Sequence, residues 1–502
     1  MQILKTNATM VFSPQVVRRT AHNARDCHGP SGLAMTFRAG FLPNMSVLVM
    51  LFTLHIFCPA TAQAGAEASS AGQAMLKGGC SKVNITSPLG IPLIGSYGKP
   101  SDDVLDELYA KALVLNDGST TIAIVSVDLL YAPLEEITNP IRKIIKDKIG
   151  IPEQNVFICA THTHSGPEVF TRSKLRPEKK VPASEIDQSY LQTLIRKTAS
   201  SVMLAYKNMK EVKIGAAKGQ IPEIVYNRRP KLADGSVKMA FTLPPEVTAT
   251  KKIETDADGN VKVTFTFPDE KEDLDFGPID PEVCVLRVED MDGGIVGSLV
   301  NFGCHPVCIY PYLSTTISAD YPAYTTGVVE KSEGGICLFA LGPAGNTVPV
   351  QRGVIPRQQI GKALGGEALR RLQFATTSGD VTLNALKKEI RFPIKTASSS
   401  DNPKEVDETN YITTEIQVLR LGDIYILGLP GEILVEVGLE IKKRAGVEKL
   451  FVISLSNDAI GYVCHSRAYE EGGYEPVSGT NLAKGAGEIM IKQALDLINQ
   501  AK

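Results

Sequence analysis

The sequence lacks the local signatures of several common hydrolase classes. It contains no GxSxG pentapeptide, which forms the nucleophile elbow of many serine hydrolases. It contains no HExxH motif, in which two helical histidines bind zinc. No CxxC pair suggests a thiolate metal site. The sequence therefore excludes elbow-type serine hydrolases and thermolysin-like peptidases.

The chain also lacks a strong charge of either sign. Its 53 Lys and Arg residues nearly balance its 55 Asp and Glu residues, which gives a formal net charge of −2 over 502 residues. No long block of like charge offers a surface for nucleic acid or a polybasic patch for anionic lipid. Because 43% of the residues are hydrophobic, a large core is expected. We expect a globular protein with a small-molecule or lipid substrate and no nucleic-acid partner.

Residues 1–64 predict export rather than a folded segment. Residues 45–57 are almost all apolar, Arg38 lies upstream, and Ala62 and Ala64 occupy the positions at which a signal peptidase requires small residues. We expect cleavage after Ala64, a short linker over residues 65–77, and a secreted or periplasmic protein. The alternative is an N-terminal membrane anchor, although the apolar run is short for a full span.

Seven of the nine cysteines follow Ala64. The number is odd, and several of these cysteines lie in apolar, strand-like segments such as NVFICAT. A cysteine in such a segment is more often a small buried hydrophobe than half of a disulfide.

Strand and helix patterns alternate over residues 78–502 without a Pro-rich or Ser-rich break. Residues 110–130 predict two strands around a tight Asn116-Asp117-Gly118 turn. Further strands are predicted at 155–164, 212–216, 282–289, 294–302 and 336–340, helices at 133–147, 185–208 and 485–501, and a protruding hairpin or lid at 230–280. We expect a single catalytic domain of the α/β (α+β) class, a mixed β-sheet sandwich flanked by helices.

Three histidines stand where apolar strands end. His162 and His164 are two residues apart in THTHSGP, so in an extended strand they would face the same side. Paired imidazoles suit a divalent metal, but an isolated HxH is equally compatible with structural histidines. His305 follows a second apolar strand, in NFGCHP, and this second strand end favours a metal site.

A hydrolytic zinc site also needs a further ligand such as a carboxylate. Glu432 follows Pro430-Gly431 at a predicted strand-to-helix transition. The competing interpretation is a glutamate that only begins a helix, where a negative charge is favourable.

Several short motifs occur in an order that resembles one known family. They are Asn84-Ile85-Thr86-Ser87-Pro88 with Gly95 and Tyr97, the THTHSGP run, Asn227-Arg228, residues 301–306, Ala344-Gly345-Asn346, Pro430-Gly431-Glu432, and Gly461-Tyr462 with residues 471–474. Together they extend over nearly the whole chain after residue 77. On these motifs the chain resembles the neutral ceramidases in their large N-terminal catalytic domain.

The resemblance implies a set of site residues and a reaction. It implies Zn²⁺ ligands at His162, His305, Glu432 and Tyr462, catalytic groups at His164, Arg228 and Tyr474, and substrate contacts at Gly95, Asn346 and Thr347. The implied reaction is hydrolysis of the amide bond of ceramide or a related N-acyl lipid by a metal-bound water, whose pKa zinc lowers from about 15.7 to about 7. The implied partner is a lipid-like substrate, met at a membrane surface.

Two departures from the family pattern leave alternatives open. Val348 occupies the position at which the family has a serine, so a serine nucleophile is not available there. We also expect no immunoglobulin-like C-terminal domain. The alternatives are a zinc hydrolase of other N-acyl compounds or esters, and an exported binding protein without turnover.

Overall fold

The computed structural model describes residues 75–96, 98–168, 185–268, 274–395 and 410–502. The predicted signal peptide, most of the predicted linker, and Tyr97 lie outside these ranges. The predictions of export and of the cleavage site therefore stay predictions.

Strands and helices are distributed along all the described ranges. The strands are β1 (Lys77–Asn84), β2 (Asp103–Val104), β3 (Tyr109–Asn116), β4 (Thr121–Val127), β5 (Val156–Ala160), β6 (Lys210–Gln220), β7 (Val225–Asn227), β8 (Lys252–Thr255), β9 (Val261–Thr264), β10 (Pro278–Ile279), β11 (Glu282–Asp290), β12 (Ile295–Phe302), β13 (Thr316–Ile317), β14 (Ile336–Leu341), β15 (Thr347–Pro349), β16 (Leu383–Pro393), β17 (Tyr411–Leu421), β18 (Ile424–Gly428), β19 (Glu432–Ile433), β20 (Lys449–Ile453) and β21 (Tyr462–Val463). The helices are α1 (Asn139–Ile149), α2 (Glu185–Lys207), α3 (Pro245–Thr248), α4 (Asp320–Glu333), α5 (Val354–Leu372), α6 (Val435–Ala445), α7 (Ser466–Glu471), α8 (Tyr474–Val477) and α9 (Ala486–Ala501).

Two sheets form the framework. The large sheet has the order β14-β12-β11-β6-β1-β3-β4-β5, and the small sheet has the order β16-β17-β18-β20. β3 and β4 form the hairpin that the sequence predicts, with Gly118 in the left-handed conformation its turn needs. β8, β9 and β10 form a separate small sheet within the predicted protruding segment.

Successive side chains of each strand face opposite layers. Leu113 and Ile124 of the large sheet pack against Leu419 of the small sheet, so the two sheets lie face to face. On the outer face of the large sheet, Val114 and Val125 pack under helices α1, α2, α4 and α5. Helices α6 and α9 cover the outer face of the small sheet. The predicted mixed sandwich flanked by helices is confirmed.

The carboxyl ends of strands from both sheets meet at one edge of the sandwich. The Ser126 hydroxyl of β4 donates to Phe339 O of β14 at 2.5 Å, although β4 and β14 are far apart in the strand order. Asn301, at the end of β12, donates through Nδ2 to Ala340 O at 3.0 Å and to Val452 O of the small sheet at 3.2 Å. Segments that follow β5, β12, β14 and β18 therefore meet, and these segments carry the candidate site.

Several other sequence predictions agree with the structure. The helix predicted at 133–147 is present as a π-helical turn over Leu134–Thr138 followed by α1, which ends just before the left-handed Gly150 (φ of 75°). α2 and α9 occupy the predicted ranges. All seven cysteines after Ala64 lie in the described ranges and are buried and free. Among the helices in these ranges, none has both the length and the apolar character needed to cross a membrane.

Candidate metal centre and active site

His162 and His164 converge because of a turn, not because of strand alternation. β5 ends at Ala160, and His162 adopts a left-handed backbone conformation with φ of 70°, which is unfavourable for a non-glycine residue. The two imidazoles are nevertheless adjacent, with 3.4 Å between their Nε2 atoms. The two imidazoles are therefore close together, as predicted, but the cause is a strained turn after β5 and not an extended strand.

His305 joins them from the segment after β12. Its backbone N–H donates to Thr347 O at 3.0 Å, and its ring lies 4.8 Å from that of His162 between centroids. Ligand atoms of His162, His164 and His305 all lie within 4.8 Å of one another. Three histidines from two distant segments thus form one group.

Backbone carbonyls fix the orientation of two of these rings. His162 Nδ1 lies 3.0 Å from Leu130 O, and His305 Nδ1 lies 2.5 Å from Ala344 O. Because a carbonyl accepts a hydrogen bond, each Nδ1 carries the proton and each Nε2 keeps its lone pair. Both lone pairs are then available to a metal.

Glu432 lies beside these two histidines. β19 pairs in parallel with β21, with Glu432 directly opposite Tyr462. Glu432 Oε2 lies 3.3 Å from His162 Nε2 and 3.2 Å from His305 Nε2. Its other oxygen, Oε1, accepts a hydrogen bond from the Tyr131 hydroxyl at 2.9 Å. The carboxylate therefore directs one oxygen at both histidines.

These separations fit ligands of one zinc ion. Nitrogen and oxygen ligands about 2.0–2.2 Å from a tetrahedral zinc lie about 3.3–3.5 Å from each other. The contacts of Glu432 with His162 and His305, 3.3 and 3.2 Å, are close to that spacing. His164 Nε2, 3.4 Å from His162 Nε2, is equally close, so an all-histidine set is geometrically possible as well. The predicted division between ligand and catalytic histidine stays a prediction.

The electrostatics of the group suit a cation. Burial lowers the pKa of His305 to about 4, and burial together with His162 holds the pKa of His164 well below its usual value. Burial opposes ionisation of Glu432, but His162 and His305 keep the pKa of its carboxyl well below its usual range. At neutral pH the site therefore presents a carboxylate beside the neutral imidazoles of His164 and His305, the protonation states that metal binding requires.

Arg228 lies among aromatic rings next to Tyr462. Its guanidinium is 5.3, 5.7 and 5.9 Å from the ring centres of Phe241, Tyr462 and Tyr474. Arg228 Nη2 donates to the Tyr462 hydroxyl at 3.2 Å and to Gly345 O at 2.9 Å. Arg228, Tyr462 and Tyr474 therefore form one cluster, and their roles as ligand and catalytic groups stay predictions.

A carboxylate that the sequence did not single out holds this cluster. Glu475 Oε1 accepts from Arg228 Nε at 2.8 Å, and Oε2 accepts from Arg229 Nη1 at 2.7 Å. Although burial opposes its charge, Tyr462 and Glu475 raise the pKa of Arg228. Arg228 thus remains a fixed cation inside the protein.

The predicted substrate contacts lie at the edge of the site. A Cβ on Gly95 would overlap the ring of Tyr310, whose centre lies 5.4 Å from that of His164. Asn346 Oδ1 accepts from Val435 N at 2.8 Å, and its Nδ2 donates to Glu436 at the start of α6.

Thr347 and Val348 are buried residues of β15 that support the site from the protein interior. Thr347 donates through Oγ1 to Gly303 O at 3.0 Å. Val348 is fully buried in the core under the large sheet. Contact of substrate with Gly95, Asn346 or Thr347 stays a prediction, since Asn346 and Thr347 already have partners in the protein.

Exposed apolar side chains border this site. Arg352 donates to the carbonyls of Tyr310 and Phe241, and so joins the segments next to His164 and Arg228. We call the exposed side chains of these segments the apolar rim: Phe241, Tyr312, Leu313, Val354 and Ile355. Tyr312 and Ile355 are the most exposed of them, at 61% and 68%.

A family model for the N-terminal region of neutral/alkaline non-lysosomal ceramidases matches residues 78–339. The match contains the three clustered histidines and Arg228 and ends before Glu432, Tyr462 and Tyr474. The geometry places Glu432 beside the matched histidines, and Tyr462 and Tyr474 beside the matched Arg228.

Two solved structures share the fold. A neutral ceramidase from Pseudomonas aeruginosa has 17% identity and a TM-score of 0.65, over 85% of this chain and 74% of that chain. A ceramidase described as complexed with C2 has 16% identity and a TM-score of 0.64, over 85% of this chain and 75% of that chain. At these identities the two matches support the architecture alone.

Proposed function

This chain belongs to the neutral/alkaline non-lysosomal ceramidase family, and we propose that it is a zinc-dependent amidohydrolase that cleaves ceramide or a related N-acyl lipid. The products are a sphingoid base and a fatty acid. The observation that carries the proposal is the contact of Glu432 Oε2 with His162 and His305 at 3.3 and 3.2 Å.

The ligand set of the proposal is His162, His305, Glu432 and Tyr462. Zinc bound there supplies a Lewis acid and makes hydroxide available near neutral pH. The backbone carbonyls of Leu130 and Ala344 hold the two imidazoles in the ligating tautomer.

In the proposed reaction, His164 transfers the proton. Its depressed pKa keeps the ring neutral at pH 7, so it accepts a proton from water and donates it to the leaving amine. General acid–base catalysis of this kind contributes roughly 10²–10⁴ in rate.

Arg228 and Tyr474 stabilise charge near the reacting carbonyl in this proposal. The Arg228 guanidinium is buried, permanently charged and held by Glu475, so it does not need to reorganise as negative charge develops on the carbonyl oxygen. Tyr474 lies against Tyr462, with 5.6 Å between ring centres. Both groups thus adjoin the proposed ligand Tyr462.

The apolar rim supports a lipid substrate taken from a membrane surface. Exposed apolar side chains beside a binding site can mark a surface that interacts with a partner. Two segments of the rim flank Tyr310, next to His164, and Phe241 lies against Arg228. In this proposal, the exported protein meets ceramide where the rim contacts lipid.

The experiment is to incubate the purified chain with ceramide, N-acyl amino acids and simple esters, with and without a chelator. We expect release of sphingosine that the chelator abolishes and zinc restores, and no release by the His162→Ala variant. Ceramide hydrolysis that persists at full rate without metal would overturn zinc dependence.

A zinc hydrolase of other N-acyl compounds or esters is the second candidate. Val348, buried where the resemblance places a serine, supplies no hydroxyl to the substrate. Turnover of the other substrates without ceramide hydrolysis would favour this candidate, and binding without any turnover would indicate an exported binding protein.

A further inference from the structure

Tyr131 lies directly against the candidate metal centre but belongs to none of the motifs of the family resemblance. It follows β4, and its hydroxyl donates to Glu432 Oε1 at 2.9 Å. Its ring centre is 5.6 Å from that of His162. Tyr131 thus touches one proposed ligand through a hydrogen bond and a second through its ring.

The residues next to Tyr131 hold the same histidine. Leu129 O accepts from His162 N at 2.9 Å, and Leu130 O lies 3.0 Å from His162 Nδ1. The segment is anchored by Asp128, whose carboxylate accepts from Tyr109 N at 2.8 Å and from the Thr161 hydroxyl at 3.1 Å. Residues 129–131 therefore form a short segment that contacts two proposed ligands, His162 and Glu432, which are far apart in the sequence.

The hydrogen bond of Tyr131 distinguishes the two oxygens of Glu432. Oε2 faces His162 and His305, whereas Oε1 is engaged by the tyrosine. Without that hydrogen bond the carboxylate is free to rotate and to offer both oxygens to one ion. Groups that hydrogen-bond a metal ligand in this way typically change metal affinity by about 10–100-fold when removed.

We propose that Tyr131 is a positioning residue that restricts Glu432 to a single ligating oxygen. The proposal rests on the zinc site of the proposed function. It adds a residue to that site and predicts how the coordination changes when the residue is removed.

The test compares Tyr131→Phe with Tyr190→Phe. Tyr190 is a matched control, because its buried hydroxyl donates to Ile85 O from helix α2 and touches no proposed ligand. Zinc affinity is measured by competition with a chromophoric chelator, and thermal unfolding of the metal-free proteins reports any general structural effect. We expect the zinc Kd to rise about 10–100-fold in Tyr131→Phe and to change less than about twofold in the control.

Cobalt substitution adds a spectroscopic readout. Four-coordinate Co²⁺ absorbs visible light more strongly than five-coordinate Co²⁺, so a second oxygen from Glu432 weakens the bands. We expect weaker bands in Tyr131→Phe and unchanged bands in Tyr190→Phe. Tyr131→His, which keeps a hydrogen-bond donor, is expected to lie between wild type and Tyr131→Phe, and it replaces the Phe variant if that variant does not fold.

The outcomes separate this inference from the proposed function. If the wild type binds zinc but the folded Tyr131 variants match the control in affinity and spectrum, the positioning role is wrong and the zinc site stands. If the wild type binds no zinc, the proposed function fails and the positioning role fails with it.

Discussion

Glu475 pairs with two buried cations, Arg228 and Arg229, next to the proposed ligand Tyr462. Its side chain is 0% exposed, and the two guanidinium groups that it joins are 6% and 3% exposed. Removing the carboxylate leaves two buried cations without their main partner. We predict that Glu475→Ala lowers the free energy of unfolding by about 3–5 kcal/mol.

Urea denaturation measures this loss of stability, and a variant that removes an exposed ion pair serves as the comparison. Asp147 pairs with Lys143 on the surface of α1, so Asp147→Ala is expected to change the free energy of unfolding far less than Glu475→Ala does. Comparable losses in the two variants would contradict the role given to Glu475.

At this residue scale, the sequence indicated the residues whose types are chemically distinctive. His162, His164, His305 and Glu432 were predicted as one group and do lie together. Tyr131 and Glu475 were missed, because a tyrosine or glutamate in a short segment has no local signature. Tyr131 and Glu432 are 301 positions apart, and folding alone makes them neighbours.

At the scale of elements, strands and amphipathic helices were predictable where the pattern was regular. The β3–β4 hairpin and α2 follow alternation and helical spacing directly. α4 and α5 were not predicted. α5 contains three glycines, which lower helix propensity, but two of them serve packing: Gly361 and Gly365 lie against backbone oxygens of α4.

These glycines give an element-scale prediction. A Cβ at Gly361 would stand 2.5 Å from Tyr321 O of α4, whereas a Cβ at the neighbouring Gly366 meets open space. We predict that Gly361→Ala destabilises the protein by about 1–3 kcal/mol through overpacking. Gly366→Ala should instead stabilise it, by up to about 1 kcal/mol, through helix propensity.

Thermal unfolding of the two variants shows whether close packing against α4 or helix propensity determines the effect of an added Cβ at each glycine. The predicted shifts in Tm have opposite signs. An increase in Tm for both variants would mean that α4 and α5 are not in close contact at Gly361.

At the scale of the whole molecule, a cluster of charged side chains connects a helix of the small sheet to a strand of the large sheet. Lys442 of α6, which covers the small sheet, contacts Asp280 at 2.6 Å and Glu282 of β11 in the large sheet at 2.7 Å. Burial opposes ionisation of Glu282, but Lys442 and Lys218 lower its pKa to about 2. Glu282 therefore favours the folded state in its ionised form.

The sign of the resulting pH dependence follows from this lowered pKa. The contribution is fully present above the ordinary value of 4.5 and is lost as the pH falls towards 2. We predict that Glu282→Gln is less stable than wild type by roughly 2–3 kcal/mol at pH 6. The difference should shrink towards zero near pH 2.

Denaturation at several pH values measures this difference in the free energy of unfolding. A chelator is present, so that metal binding does not contribute. A constant difference between wild type and Glu282→Gln from pH 6 to pH 2.5 would show that the carboxylate's charge does not stabilise the fold.

The assembly of the whole molecule was the least predictable level. The sequence predicted a mixed sandwich and a shared site for the histidines and Glu432, but not which strands of the two sheets bring them together. That convergence depends on strand order and on the contact between β4 and β14, which no local pattern encodes. It is also what brings Glu432 to the histidines of the matched family region.

The zinc content of the purified chain tests the central claim most directly. Atomic emission analysis, after dialysis against dilute zinc and removal of unbound metal, should find one zinc per wild-type chain. His162→Ala, His305→Ala and Glu432→Ala should each lose most of that zinc while retaining the wild-type circular dichroism spectrum. A wild-type chain without zinc, or folded variants that keep one zinc each, would contradict the account.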